Sequence, residues 1–145
     1  MSAYAYIDTS ALAKCYIREP RSLDVLDWAD AQESVATSPL TVVEFRCLLA
    51  RRRRASQIDL PLERVALAEF DRDVHARTWR IYQDAAGLFN EARQLIDLVS
   101  EVPLRALDAL HLAYARHFDA KIFATADRNQ AEAARALGIP VFTFY

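Results

Sequence analysis

KIFATADRNQAEAARALGIPVFTFY, residues 121–145, carries one whole strand–helix–strand unit. KIFAT (121–125) is a short apolar run of strand length, and a helical pattern follows it to Leu137. Gly138 supplies the stop, and VFTFY returns as a last strand. A crossover of this kind joins parallel strands. Working outward, AYAYI (3–7) is a second buried run, ended by Asp8, after which Leu12, Cys15 and Tyr16 recur at helical spacing. The pattern predicts a helix over 22–31 with Leu23, Leu26 and Ala29 inward, a weak strand over 34–37, and a helix capped by Ser38 that runs from Pro39 to the arginines at 51–54. Pro61 opens a helix to Val74, and WRIYQ (79–83) reads as a strand. Asp84 caps a helix over 85–98, and Pro103 starts another through Phe118. Short apolar strands alternating with helices predict an α/β fold. A parallel sheet of four to five strands lies between two helical layers, in one three-layer α/β/α domain over residues 1–145. In such sheets ligands bind outside the C-terminal strand ends.

Composition narrows the chemistry. With 145 residues, 53% hydrophobic and 26% charged, the chain can bury a real core. Its apolar stretches fall short of the ~20 residues that a membrane helix needs. The N-terminus lacks a basic segment and meets Asp8 early, so no signal peptide is expected. Cys15 and Cys47 form no CxxC and sit in helical patterns, which predicts reduced core thiols in a cytoplasmic protein. A net charge of −2 excludes a bulk polycation. Gly87 and Gly138 are the only glycines, so no P-loop, dinucleotide fingerprint or GxSxG elbow can be written. Of 18 basic residues only Lys14 and Lys121 are lysines; the rest are arginines, the side chain suited to bidentate phosphate contacts.

Four acids stand in unusual places. Asp8 and Asp127 fall at strand ends, where helix capping is the alternative role. Asp108 interrupts the stripe Leu104, Leu112, Ala115, and Glu44 interrupts Leu40, Cys47, Leu48. A desolvated carboxylate without a partner costs several kcal/mol, so each pairs with an arginine such as Arg46 or Arg105, or faces a cleft. Should all four converge, their repulsion calls for a divalent cation, and an all-carboxylate set suits Mg²⁺ or Mn²⁺. His75, His111 and His117 make no zinc spacing, though His111 lies one turn from Asp108, within reach of an orienting contact. Arg51, Arg52, Arg53 and Arg54 either complement the helix dipole or meet phosphate or a protein partner.

YIDTSAL, SPLTVVEF around Glu44, RALDALHLAYA around Asp108 and IFATADRNQAEAARALGIPVF around Asp127 resemble, in that order, the PIN-domain ribonucleases, most closely the VapC-type toxins of toxin–antitoxin pairs. The resemblance implies a PIN-like α/β/α domain that holds Mg²⁺ or Mn²⁺ in an acidic pocket and cuts RNA, leaving 5′-phosphate and 3′-hydroxyl ends. It implies Asp8, Glu44, Asp108 and Asp127 as the catalytic and metal-binding quartet, with Asp8 and Asp108 the principal ligands. Thr9 or Ser10 and Thr125 match its pocket hydroxyls. Asn129 stands where some members carry a fifth acid. An antitoxin and a second copy of the chain are the partners it implies. Two rival functions are a catalytically silent PIN-fold binding module and a phosphoryl-aspartate receiver or phosphatase domain. All four acids are present, against the first; Asp8-Thr9-Ser10 lacks the second acid of a phosphatase, against the second.

Overall fold

The computed structural model describes residues 4–145; the expectations that touch residues 1–3 lie outside them. The described chain runs β1 (Ala5–Ile7), α1 (Thr9–Leu12), a 3₁₀ turn (Ala13–Cys15), α2 (Ser22–Asp30), β2 (Val35–Thr37), α3 (Pro39–Arg54), α4 (Leu60–His75), β3 (Trp79–Ile81), α5 (Leu88–Leu98), α6 (Ala106–His117), β4 (Ile122–Thr125), α7 (Arg128–Ala136) and β5 (Val141–Thr143). All five strands are parallel, in the order β3-β2-β1-β4-β5. In β1 successive side chains alternate between the sheet faces. Tyr6 packs with Phe123, Leu95 and Leu112 under α5, α6 and α7, its ring stacked on Phe123 at 5.4 Å. Ala5 and Ile7 face Leu12, Val25, Phe45 and Phe70 under α1 to α4. Among the described residues no helix is long and apolar enough to cross a membrane.

Several local expectations shift. In α2 the buried residues are Val25 and Trp28, whereas Leu23 is 72% exposed. The large indole sets the helix phase by packing on Phe144 at 5.8 Å. Helix α5 starts at Leu88, where Gly87 takes the left-handed φ of 87° before it. Asp84 does not cap α5 and accepts instead from the Tyr114 hydroxyl at 2.6 Å. Helix α6 starts at Ala106, three residues beyond Pro103. Ser38 precedes α3 as expected, but its hydroxyl accepts from Tyr6 at 2.9 Å and does not cap the helix. Both thiols are free; Cys47 is exposed, and only Cys15 is part of the core edge, burial pushing its pKa up to about 12.

Candidate active site

The register Ile7↔Ala124 sets the ends of β1 and β4 side by side, so the residues that leave those strands meet. Asp8 leaves β1 and caps α1, its Oδ1 accepting from the Ala11 amide at 3.0 Å. Asp127 leaves β4 and caps α7 through the Gln130 amide at 2.9 Å. Glu44 sits on α3 beside the buried row Thr41, Phe45, Leu49, and Asp108 lies in the first turn of α6. All four carboxylates line one cavity of about 560 Å³, at the C-terminal end of the sheet. Capping and cavity lining are therefore not alternatives for Asp8 and Asp127. One side chain does both.

Each acid is tied by different chemistry. Asp8 is fully buried and takes hydroxyls from Ser10 (2.7 Å) and Thr125, the Ala11 amide, and the Gln130 side-chain amide at 3.1 Å. Burial holds its carboxyl pKa above the ordinary value, opposed by the charge of His111 and by the Thr125 and Ser10 hydroxyls. At Glu44 burial pushes the same way, but the hydrogen bond and charge of His111, the Thr9 hydroxyl (2.9 Å) and Arg105 outweigh it, and its pKa lies below the ordinary value. His111 is buried against Glu44 through Nε2 and against the Tyr6 hydroxyl through Nδ1, at 2.6 Å. Asp108 accepts from the Arg105 amide at 3.2 Å and faces its guanidinium at 3.4 Å, a pair whose arginine side chain is 81% exposed and so contributes little. Arg46, the other expected partner, reaches Glu63 instead.

Four carboxylates without a thiolate form a hard-oxygen donor set, which fits Mg²⁺ or Mn²⁺. Among the described residues no three His, Cys, Asp or Glu side chains stand close enough to share one ion as placed. The hydrogen bonds just described are the reason: Glu44 turns to His111, Asp108 to Arg105 and Asp127 to its own helix. The donors fit, and their present partners compete for the same lone pairs.

A PIN-domain family model matches residues 5–136, nearly the whole span that builds the sheet and this cavity. The chain belongs to the PIN-domain family. It is 30% identical over 139 residues to Ribonuclease VapC47 of Mycobacterium tuberculosis, across 92% of this chain and 91% of that protein. The fold is similar to that of Mycobacterium tuberculosis VapC20, described as a sarcin–ricin loop cleaving toxin. The TM-score there is 0.69 at 20% identity, over 89% of this chain and 94% of that one. It also resembles a toxin–antitoxin complex from Klebsiella pneumoniae, with a TM-score of 0.61 at 19% identity, over 97% and 98% of the two chains.

Within this PIN domain, Thr9 and Ser10 line the cavity, and Thr125 stands behind Asp8 as its donor. Asn129 does not belong: it is exposed on the first turn of α7, outside the cavity lining. Gln130 and Tyr6 are the residues that sequence reasoning missed. The spacing Asp127 to Gln130 is one helical turn, a signal that was available for the first; nothing local marks Tyr6, which meets His111 only through the fold. The arginine run is not a block of four free cations. Arg52 pairs with Glu19 at 3.2 Å and Arg53 with the buried Glu63 at 2.7 Å, whereas Arg51 lines the cavity and Arg54 makes no ion pair among the described residues. Arg53→Gln is expected to destabilise by about 1–2 kcal/mol, because Glu63 then keeps only Arg46 at 3.5 Å, while Arg54→Gln leaves the melting temperature unchanged. Equal melts for the two variants would show that Glu63 does not need Arg53.

Proposed function

We propose that this PIN domain is a divalent-metal-dependent endoribonuclease acting as the toxin of a toxin–antitoxin pair. The observation that carries the proposal is the convergence of Asp8, Glu44, Asp108 and Asp127 on one cavity at the C-terminal strand ends. The 30% identity to a curated ribonuclease over nearly the whole chain supports the substrate class. Asp8 and Asp108 are the principal metal ligands in this reading, with Asp127 and Glu44 completing the set directly or through water. A bound Mg²⁺ or Mn²⁺ supplies a water of lowered pKa and neutralises charge on the phosphate. The chain's own residues do the rest. Thr9, Ser10 and Thr125 fix the carboxylates, and His111 holds Glu44 at the cavity wall. Arg51 and Arg105, both on the cavity, give the RNA backbone its positive contacts in a chain whose net charge is −2.

An apolar groove adjoins the acids, sharing Val43, Glu44 and Leu107 and lined further by Leu88, Phe89 and Leu110. Phe89 is 79% exposed and Val43 65%, so the groove suits an apolar antitoxin segment, and the likeness to solved toxin–antitoxin complexes supports such a partner. The same reading keeps a second copy of the chain as a partner and the cytoplasm as its place. The test combines a melt and a cleavage assay. Mn²⁺ should raise the melting temperature of the wild type, because a cation bound only by the native pocket stabilises it by mass action, and should not raise that of Asp108→Asn. RNA should be cut by the wild type and spared when a chelator is present. A wild type indifferent to Mn²⁺ in both assays sinks the metal assignment; cleavage that persists in chelator leaves a ribonuclease of another mechanism.

A further inference from the structure

Gln130 touches two of the four acids at once. Its backbone amide caps α7 on Asp127, and its side-chain Nε2 donates to Asp8 Oδ2 at 3.1 Å. The residue is 3% exposed, and its Oε1 is buried with no hydrogen-bond partner among the described residues. A buried acceptor left unsatisfied is uncommon and costs free energy, so it calls for a reason.

The reason lies in how Asp8 is filled. A carboxylate has about four lone-pair sites. Ser10 and the Ala11 amide take two on Oδ1; Thr125 and Gln130 take two on Oδ2. As it stands Asp8 has none left for a cation, so one donor must yield. The Ala11 amide is part of the first turn of α1. Ser10 Oγ is pinned from behind by the Ala126 amide at 2.9 Å, and Thr125 Oγ1 by the Asp127 amide at 2.9 Å. Gln130 makes the longest of the four bonds, its side chain has three rotatable torsions, and among the described residues nothing donates to its Oε1.

We propose that the Gln130 amide is a placeholder: it fills the Oδ2 lone pair that a divalent cation takes, and yields it when the cation binds. Without a cation it keeps the buried carboxylate solvated by protein, which lets the pocket stay folded. With one, the freed amide turns away from Asp8. The proposal rests on the metal reading above but makes a prediction of opposite sign to that for a supporting donor, whose loss weakens metal binding.

The experiment is equilibrium Mn²⁺ binding, followed through the free-ion paramagnetic resonance signal, with no RNA present. Wild type is compared with Gln130→Met, which keeps the length and loses both polar ends. The variant should bind Mn²⁺ at a roughly tenfold lower concentration, the worth of one hydrogen bond to a charged group. Its metal-free form should melt below the wild type. Unchanged or weaker Mn²⁺ binding in Gln130→Met, with normal binding in the wild type, overturns the placeholder and leaves the metal site standing. No binding by the wild type overturns both. A second measurement needs no variant: on adding Mg²⁺ to labelled wild-type protein, the Gln130 side-chain amide resonances should shift and lose their protection from exchange. Resonances that stay in place and protected overturn the proposal as well.

Discussion

Asp8→Asn is expected to leave a folded protein whose RNA cleavage falls by at least about a hundredfold, because the change removes the one acid that both adjoins the β1–β4 seam and is fully buried in the pocket. In the metal-dependent reading proposed above Asp8 is a principal ligand, whose loss would forfeit several kcal/mol of transition-state stabilisation, and each 1.36 kcal/mol is tenfold in rate. The fold should tolerate the change well. Asn keeps an oxygen for Ser10 and the Ala11 amide, and its nitrogen faces the Thr125 hydroxyl and Gln130. If the Gln130 amide turns over, its unpartnered Oε1 gains a donor. The pH dependence has a definite sign. Burial raises the Asp8 pKa in the folded state, so ionising it costs stability, and that cost appears as pH rises from the ordinary aspartate value through the raised one. Melted without metal, Asp8→Asn should thus equal or exceed the wild type at pH 7 and lose any advantage in acid. A variant that still cuts RNA at the wild-type rate removes Asp8 from the active site. One that melts far below the wild type at neutral pH shows instead that the carboxylate is structural.

What the sequence could disclose followed from period and punctuation. The unit at 121–145 was readable because its strand is an apolar run up to Thr125, its helix is bounded by Asp127 and Gly138, and nothing in it competes. Glu44 and Asp108 stood out for the opposite reason, since a carboxylate within an apolar stripe is costly enough to demand a use, whereas Asp8 and Asp127 were marked only by their places at strand ends. The phase of α2 was not, because Leu23, Leu26 and Ala29 fit one helical face as well as Val25 and Trp28 fit another. Only the docking of Trp28 on Phe144 chooses between them. Proline misled at 103 because it sits at the centre of a tight turn, Leu104 donating to Val102 across it, and the helix begins at Ala106 behind its N-cap Arg105. The arginine run read as one feature, yet consecutive helical positions point in four directions. Three of them meet different surroundings, Glu19, Glu63 and the cavity. Long-range side-chain pairing was beyond reach altogether. Tyr6 and His111 are 105 residues apart, and their contact exists only because α6 lies across the face of the sheet that Tyr6 occupies.

That contact carries the second large effect. His111→Leu should lower the melting temperature by about 10 °C, equivalent to roughly 2–4 kcal/mol in a domain of this size. The imidazole joins the sheet to both sides of the pocket. Nε2 meets Glu44 on α3, Nδ1 meets the Tyr6 hydroxyl on β1, and the ring stands edge-on to the Tyr6 ring at 5.8 Å between centroids. Leucine fills comparable space, so the loss is polar and not a cavity. Tyr6 retains Ser38 at 2.9 Å, and Glu44 retains Thr9 at 2.9 Å, which keeps the cost below that of two orphaned groups. Glu44 also gives the effect a pH signature. Its folded pKa lies below the ordinary value, so its contribution to stability is present above that value and is lost as pH falls through the lowered one. The gap between wild type and His111→Leu should therefore narrow in acid. Tyr6→Phe provides the control: it breaks the other end of the relay and leaves the Glu44 contact intact. It should destabilise without that acid narrowing, because the titrating partner is untouched. A gap in His111→Leu that stays constant across pH, or a melt within about 2 °C of the wild type, would mean that Glu44 is held at the cavity by Thr9 alone and that His111 is only filling space.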